Sequence, residues 1–403
     1  MSLRVVLIVM GLAFVSIHCA HRKPQTTPAT EMVNWHGKMH VLSESLTKLM
    51  PLTVSQRAFD RPENRKTIDL EVKNIRAMAH AVDLTKHKPT HDPALSFMAQ
   101  RFASEMDEAA QQIEEDNRIF ARHILQQTTR HCISCHTRTS DGRSNMQLSA
   151  FANMGSMSKM EQANFAIAMR DYDKALELFD QLVNSPDAQI QSPYELELAA
   201  EKALAVAVRV KQDPALADEM VSRIADARWA PVYLRLNALV WKSAIKEWRA
   251  ESSSKALTAR AKFASAKRIM TQGWKKSLNS PLGQAGLVHF LRASQLLHEL
   301  AGQSSNQPEY GEYLYYSGLA AESLRDMNLW TLQDSYYEAC VRHSPRTPLA
   351  KKCYLRLEAL KLSAYATDEG ARLPRSIRER LFELRNLSEN PNERFDDWHS
   401  IGE

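Results

Sequence analysis

A chain of 403 residues with 44% apolar and 25% charged side chains is long enough for two or three domains and a sizeable buried core. Its net charge of +5 is small for this length, and no basic stripe is interleaved with aromatic residues, so no nucleic-acid partner is predicted. Only 12 glycines, among many Ala, Leu, Glu, Lys and Arg residues, favour an all-α fold.

The first residues have the pattern of an export signal. Arg4 precedes an apolar run over residues 5–17 that is too short to span a bilayer comfortably. We predict a signal peptide over residues 1–20 and a flexible spacer over residues 21–30. Cys19 follows the apolar run, where a lipoprotein cysteine would stand. Cleavage with secretion, lipidation of Cys19 and an uncleaved anchor remain alternatives. The expected location is the periplasm or the exterior, with or without a membrane tether.

Residues 31–138 are predicted to form four amphipathic helices. The first carries the apolar stripe Met39, Leu42, Leu46 and Leu49, at the spacing of one helix face. The predicted helices cover residues 32–49, residues 65–83, residues 93–108, and a last segment that begins near residue 116 and continues beyond residue 127. Four helices of this length with short connections predict an antiparallel bundle.

The last of these helices runs into Cys132-Ile133-Ser134-Cys135-His136, which is the Cys-x-x-Cys-His pattern of c-type haem attachment. Thiols three positions apart lie on adjacent corners of one helical turn, so both can form thioethers with one edge of a haem. His136 would then be an axial ligand of the iron. A thioredoxin-like dithiol and half of a zinc site are alternatives. No βαβ pattern surrounds the motif, however, and no second Cys/His pair stands at a suitable spacing. We refer to residues 132–136 as the haem motif.

A haem motif near the end of the last helix of a bundle resembles the class II cytochromes c, the cytochrome c prime family, over residues 31–138. The resemblance implies one covalent haem c held between the helices, with a residue of the first helix on its distal face. Methionine there implies a six-coordinate iron suited to electron transfer, and an apolar residue implies a five-coordinate iron that takes small gases. Met39 is the first choice for this ligand; Met32, His36 or His40, and an open distal site are alternatives. Unlike familiar members, this chain continues far beyond the motif.

The second half of the chain is predicted to be helical throughout. Residues 139–158 read as a linker, and residues 159–386 as a series of helical hairpins. Residues 163–186 and 315–345 resemble tetratricopeptide repeats, in which small residues let paired helices pack closely. Because the match is partial, we expect a degenerate α-solenoid with one continuous core and a concave surface. Residues 387–403 are predicted to be a tail.

Two further cysteines flank a loop in this half. Cys340 stands near the end of one predicted helix and Cys353 near the start of the next. Antiparallel packed helices can bring such residues within disulfide range, and an exported protein permits the bond. The prediction is a disulfide, with two unpaired core thiols as the alternative.

No enzymatic activity is predicted. The sequence contains no Gly-rich phosphate loop, no HExxH and no Gly-x-Ser-x-Gly pattern, and Glu195, Glu197 and Glu201 are spaced as a solvated helix face. The expected function is one-electron transfer by an exported monohaem cytochrome whose helical repeats dock a redox partner protein or complex. A haem-based gas or redox sensor and a haem-stapled periplasmic scaffold are the alternatives.

Overall fold

The computed structural model of the chain is all-α, which confirms the predicted fold class. It describes residues 28–81, 91–138, 154–185, 192–251, 258–279, 284–303, 305–324, 332–367 and 370–389, with side chains from residue 37 onward. The predicted signal peptide, Cys19, and most of the spacer, linker and tail lie outside these residues, as do the side chains of Met32 and His36.

Six helices form the N-terminal group. They are α1 (Pro28–Thr53), α2 (Gln56–Asp60), α3 (Pro62–Ala81), α4 (Pro93–Glu114), α5 (Arg118–Gln127) and α6 (Thr129–His136). Helix α1 packs against α3 and α5, α3 packs against α4, and α4 packs against α5. The predicted stripe of α1 is buried in this core at Leu42, Leu46 and Leu49, together with Phe59 of α2 and Ile68 of α3.

Two details of the N-terminal group differ from the expectation. The polar segment between the first two predicted helices contains the short helix α2, whose N-cap Ser55 accepts a hydrogen bond from the backbone of Ala58. The predicted continuous helix before the haem motif is divided into α5 and α6 at Thr128. At this residue the backbone hydrogen bonds span three residues instead of four: the Thr128 N–H donates to the carbonyl of Leu125, and the His131 N–H donates to the carbonyl of Thr128.

The C-terminal group contains the remaining helices of the described residues. They are α7 (Lys159–Ala168), α8 (Tyr172–Asn184), α9 (Pro193–Ala205), α10 (Pro214–Asp226), α11 (Val232–Ala250), α12 (Ala259–Leu278), α13 (Leu287–Gly302), α14 (Tyr310–Ser323), α15 (Leu332–His343), α16 (Pro348–Ala364) and α17 (Arg375–Ser388). A 3-10 turn at Met154–Ser156 precedes α7, and a π-helical turn at Val206–Val210 follows α9. Ala366–Thr367 and Gly370–Ala371 form a minimal antiparallel ladder.

Most helices of the C-terminal group pack against the helix that follows them. These consecutive pairs include α7 with α8, α10 with α11, α12 with α13, and α14 with α15. In the last part, Cys340 of α15 and Cys353 of α16 are joined by a disulfide, with their Cα atoms 6.2 Å apart.

The two groups of helices share a core. Helix α6 packs against α7, and α15 returns from far along the chain to pack against α4. Ala94, Met98 and Ile133 of the N-terminal group therefore belong to the same buried cluster as Ile167 and Tyr336 of the C-terminal group. The haem motif lies at this junction.

The carboxylates predicted to form a solvated face on α9 do not all face solvent. Glu195 is exposed, but Glu201 is only 3% exposed, so that part of the prediction was wrong. Helix α9 packs against α8, α10 and α13, and this packing covers more of its circumference than the charge spacing suggests.

Among the described helices, none combines the length and apolarity needed to cross a bilayer.

Candidate functional site

Both thiols of the haem motif lie on α6 and are unbonded. The two side chains are half-buried. Cys132 packs against the N-terminal core, and Cys135 packs against the shared core, where its sulfur lies 4.0 Å from Sδ of Met98. The two cysteines therefore lie three positions apart on one helix at the junction, each against a different core.

The surroundings of these thiols oppose thiolate formation. Burial, with a smaller contribution from Cys135, raises the pKa of Cys132 to about 12. Burial likewise raises the pKa of Cys135 to about 11. Thiol–disulfide exchange depends on a thiolate, and catalytic Cys-x-x-Cys pairs have a lowered pKa. The environment thus argues against a thioredoxin-like dithiol.

His136 is a neutral imidazole held by the first helix of the C-terminal group. Burial, assisted by the charge of Arg170, lowers its pKa to about 4. The ring hydrogen-bonds to the backbone of Ile167 and Ala168, whereas its Nδ1 has no hydrogen-bond partner among the described residues. The hydroxyl of Tyr172 donates to the His136 carbonyl at 3.0 Å. A neutral ring with one unengaged nitrogen is the form in which histidine binds a metal.

The predicted distal ligand contacts α4, and α4 in turn packs against the helix of the motif. Met39 of α1 is half-buried and packs against Ala99 of α4. Met98, the neighbour of Ala99 in the chain, is the residue that contacts Cys135. His40, an alternative ligand, is exposed and pairs with Glu44 at 3.3 Å. Nothing in the sequence pattern singles out Met98, so its contact with the motif was not predicted.

A cluster of polar side chains around the nearly buried Glu105 supports the start of α6. His131 Nε2 lies 2.7 Å from Oε2 of Glu105, and Arg130 Nη2 lies 2.8 Å from Oε1 of the same carboxylate. Burial alone would raise the pKa of Glu105, but the hydrogen bonds from His131 and Arg130 lower it to about 2. Glu105 on α4 thus holds two residues that immediately precede the motif.

A second polar cluster lies where the motif ends. We call it the arginine cluster, and its members are Asp92, Arg138, Arg209, His298 and Tyr336. Arg138 Nη2 lies 2.7 Å from Oδ2 of Asp92 and also contacts the hydroxyl of Tyr336. Arg209 Nη2 lies 3.3 Å from Nδ1 of His298, whose ring also hydrogen-bonds to the backbone of Arg138. Arg138 and Asp92 both influence the pKa of Cys135, which places the cluster beside the motif.

These residues fit a covalent haem. Two unbonded sulfurs share one helical turn, and the adjacent imidazole is neutral with an unpartnered ring nitrogen. The described residues contain no group of three or more His, Cys, Asp or Glu side chains placed to hold a metal ion by themselves.

Comparisons with protein-family models, with curated proteins and with solved structures each find no match to this chain.

Proposed function

We propose that this protein is an exported monohaem c-type cytochrome that transfers single electrons. The observation that carries the proposal is the haem motif on α6, where two unbonded sulfurs and a neutral histidine with a free ring nitrogen lie together. The arrangement has the parts that covalent attachment and axial ligation of a haem require.

Each residue of the motif has a distinct part in the proposal. Cys132 and Cys135 would hold the haem through two thioethers, each formed by adding S–H across a vinyl C=C bond, so that nothing is oxidised. His136 would supply a nitrogen ligand to the iron, with its ring oriented by the backbone of α7. Met39 is the proposed distal ligand. When bound, haem iron supplies one-electron Fe(III)/Fe(II) exchange.

The arrangement of the helices supports the two parts of the proposed architecture. Cyclic packing of α1, α3, α4 and α5 is what a four-helix bundle requires. Packing of consecutive helices in the C-terminal group is typical of a solenoid of helical hairpins. We propose that this solenoid docks a redox partner protein, and that the apolar N-terminal segment exports the chain.

A pyridine haemochrome spectrum with an intact mass tests haem attachment on protein exported from a haem-competent host. One covalent haem per chain is expected. The C132A/C135A double variant should lose the covalent haem. The matched C340A/C353A variant removes two cysteines outside the motif and should keep it. A colourless wild-type protein would contradict the proposal.

Alkylation of the thiols gives an independent readout, provided that it is done after unfolding. Their raised pKa values make both thiols slow to react in the folded chain even when they are free. In denaturant, thioether-bonded sulfurs stay unmodified, whereas free thiols react completely. Full modification of Cys132 and Cys135 in the denatured protein would exclude thioethers.

Carbon monoxide binding tests the assignment of Met39. If Met39 occupies the distal position, the ferrous protein should bind CO slowly, and M39A should bind it much faster. H40A changes the neighbouring exposed residue and should behave as wild type. Fast CO binding by the wild-type protein would favour the sensor over the electron carrier.

A further inference from the structure

The arginine cluster contains two arginines that are almost completely buried. Arg138 is 3% exposed and Arg209 is 1% exposed. Arg209 belongs to the π-helical turn at Val206–Val210, in which the backbone N–H of Lys211 bonds to the carbonyl of Val206. Such turns are rare and occur frequently at functional sites. The turn thus places a guanidinium in the interior, beside the end of the haem motif.

Only one of the two guanidinium groups pairs with a carboxylate. Asp92 pairs with Arg138 at 2.7 Å, and Arg209 has the ring of His298 at 3.3 Å instead of a carboxylate. Nε of Arg138 and Nε of Arg209 have no hydrogen-bond partner among the described residues. The cluster therefore contains two guanidinium groups but one carboxylate. Its buried N–H donors outnumber the acceptors that the carboxylate offers.

Two other arginines with little exposure each pair with a carboxylate, which Arg209 lacks. Arg292, whose side chain is 11% exposed, pairs with Glu251 at 2.6 Å. Arg118, whose side chain is 9% exposed, pairs with Asp60 and donates to the carbonyl of Phe59. Arg209 is more deeply buried than either. Burial and the charge of Arg138 lower its pKa to about 9, so the group still carries its charge at neutral pH.

We propose that Arg138 and Arg209 form an internal binding site for one carboxylate group, with His298 and Tyr336 beside it. A planar guanidinium fork matches a carboxylate better than any other common anion of this size, phosphate excepted. The inference rests on the proposed function for its preferred occupant, because a haem carries two propionate carboxylates and the site adjoins the motif. A free small carboxylate has the same chemistry and is the other source.

Replacement of Arg209 by methionine tests the site through thermal unfolding of the full chain. In haem-free protein without added carboxylate, R209M removes an uncompensated charge and should unfold at or above the wild-type temperature. The control R292M removes a charge that Glu251 balances at 2.6 Å and should unfold below wild type. Loading with haem should reverse the order for R209M, so that the variant becomes less stable than wild type.

Sodium acetate identifies the source of the carboxylate. If a free carboxylate fills the site, acetate should raise the unfolding temperature of haem-free wild type more than that of R209M, relative to sodium fluoride at equal ionic strength. If a propionate fills it, haem-loaded wild type should show no acetate effect beyond that of R209M. A lowering of stability by R209M that is equal in all conditions would overturn the site, since its charge would then be balanced within the chain.

The pH dependence of the reduction potential provides a second readout in the haem-loaded protein. A propionate paired with Arg209 stays ionised, so the potential should be flat between about pH 5 and 7, whereas in R209M the propionate should titrate there. R209K keeps the charge and should restore most of the flat profile. Failure of the proposed function is visible separately, as absence of the haemochrome spectrum, and in that case the acetate comparison alone decides the site.

Discussion

Glu105 is a single side chain on which two opposing influences act. Its carboxylate is almost buried between α4 and α6, which disfavours its charge, yet it accepts hydrogen bonds from His131 and Arg130. The lowered pKa shows that the hydrogen bonds outweigh burial. Because both donors immediately precede the haem motif, this carboxylate holds the start of α6 against α4.

Removal of this charge is expected to destabilise the protein. E105Q should reduce the free energy of unfolding by about 1–3 kcal/mol, since a buried charged hydrogen-bond acceptor is lost. Urea unfolding at pH 7 measures the change. E44Q removes a carboxylate of the exposed pair with His40 and should change stability by less than about 0.5 kcal/mol. Equal effects of the two substitutions would contradict a special position for Glu105.

The same carboxylate gives a pH dependence of definite sign. The pKa of Glu105 in the folded protein, about 2, lies below its ordinary value of 4.5. Its contribution to stability is therefore fully present above pH 4.5 and is lost as the pH falls towards 2. The stability difference between wild type and E105Q should shrink over that interval.

At the scale of residues, local patterns could be predicted and distant partners could not. Cys132, Cys135 and His136 could be selected because their spacing alone carries the chemistry. The hydrogen bond between His131 and Glu105 joins residues 26 positions apart on different helices, and no local pattern predicts it. The position of Arg209 depends on a π-helical turn that periodicity does not show.

At the scale of elements, hydrophobic periodicity predicted where most helices lie but not where they break. The segments predicted as helices over residues 65–83 and 93–108 correspond to α3 and α4. The division of α5 from α6 lies at Thr128, where the backbone makes hydrogen bonds three residues apart instead of four, and both segments share the same apolar period. The break gives the haem motif a helix of its own.

The disulfide between α15 and α16 is an element-scale constraint that can be tested directly. Cys340 and Cys353 are separated by 13 positions, and closing a loop of this size stabilises a protein by about 3 kcal/mol in the chain-entropy model. C340A/C353A should lose about this much stability in urea unfolding. Reduced wild-type protein should fall close to the double variant. Identical unfolding of wild type with and without reductant would show that the bond does not stabilise the fold.

At the scale of the whole molecule, helices that are far apart in the chain pack against each other, as α15 does against α4. Tyr336 of α15 hydrogen-bonds to Asp92 at the start of α4, although 244 positions separate them. The sequence suggested two successive helical parts joined by a linker, because each part has its own local pattern. The common core of Met98, Ile133 and Ile167 arises from packing between those parts, which periodicity within either part does not reveal.

A shared core predicts that the two groups of helices unfold together. The Tyr336 hydroxyl lies between Arg138 and Asp92, so Y336F removes one buried hydrogen bond from each of them and should lower stability by about 1–3 kcal/mol. In protein that carries the proposed haem, its absorbance would report on the N-terminal group, and fluorescence of Trp241 and its neighbours would report on the C-terminal group. Both signals should move to lower urea concentration by the same amount, because one cooperative transition governs both.

Y233F, which removes an exposed hydroxyl bonded to the Pro193 carbonyl, should leave both signals at the wild-type urea concentration. Two separate transitions, with only one displaced by Y336F, would mean that the halves fold independently and that the junction around the haem motif is a contact surface between two domains.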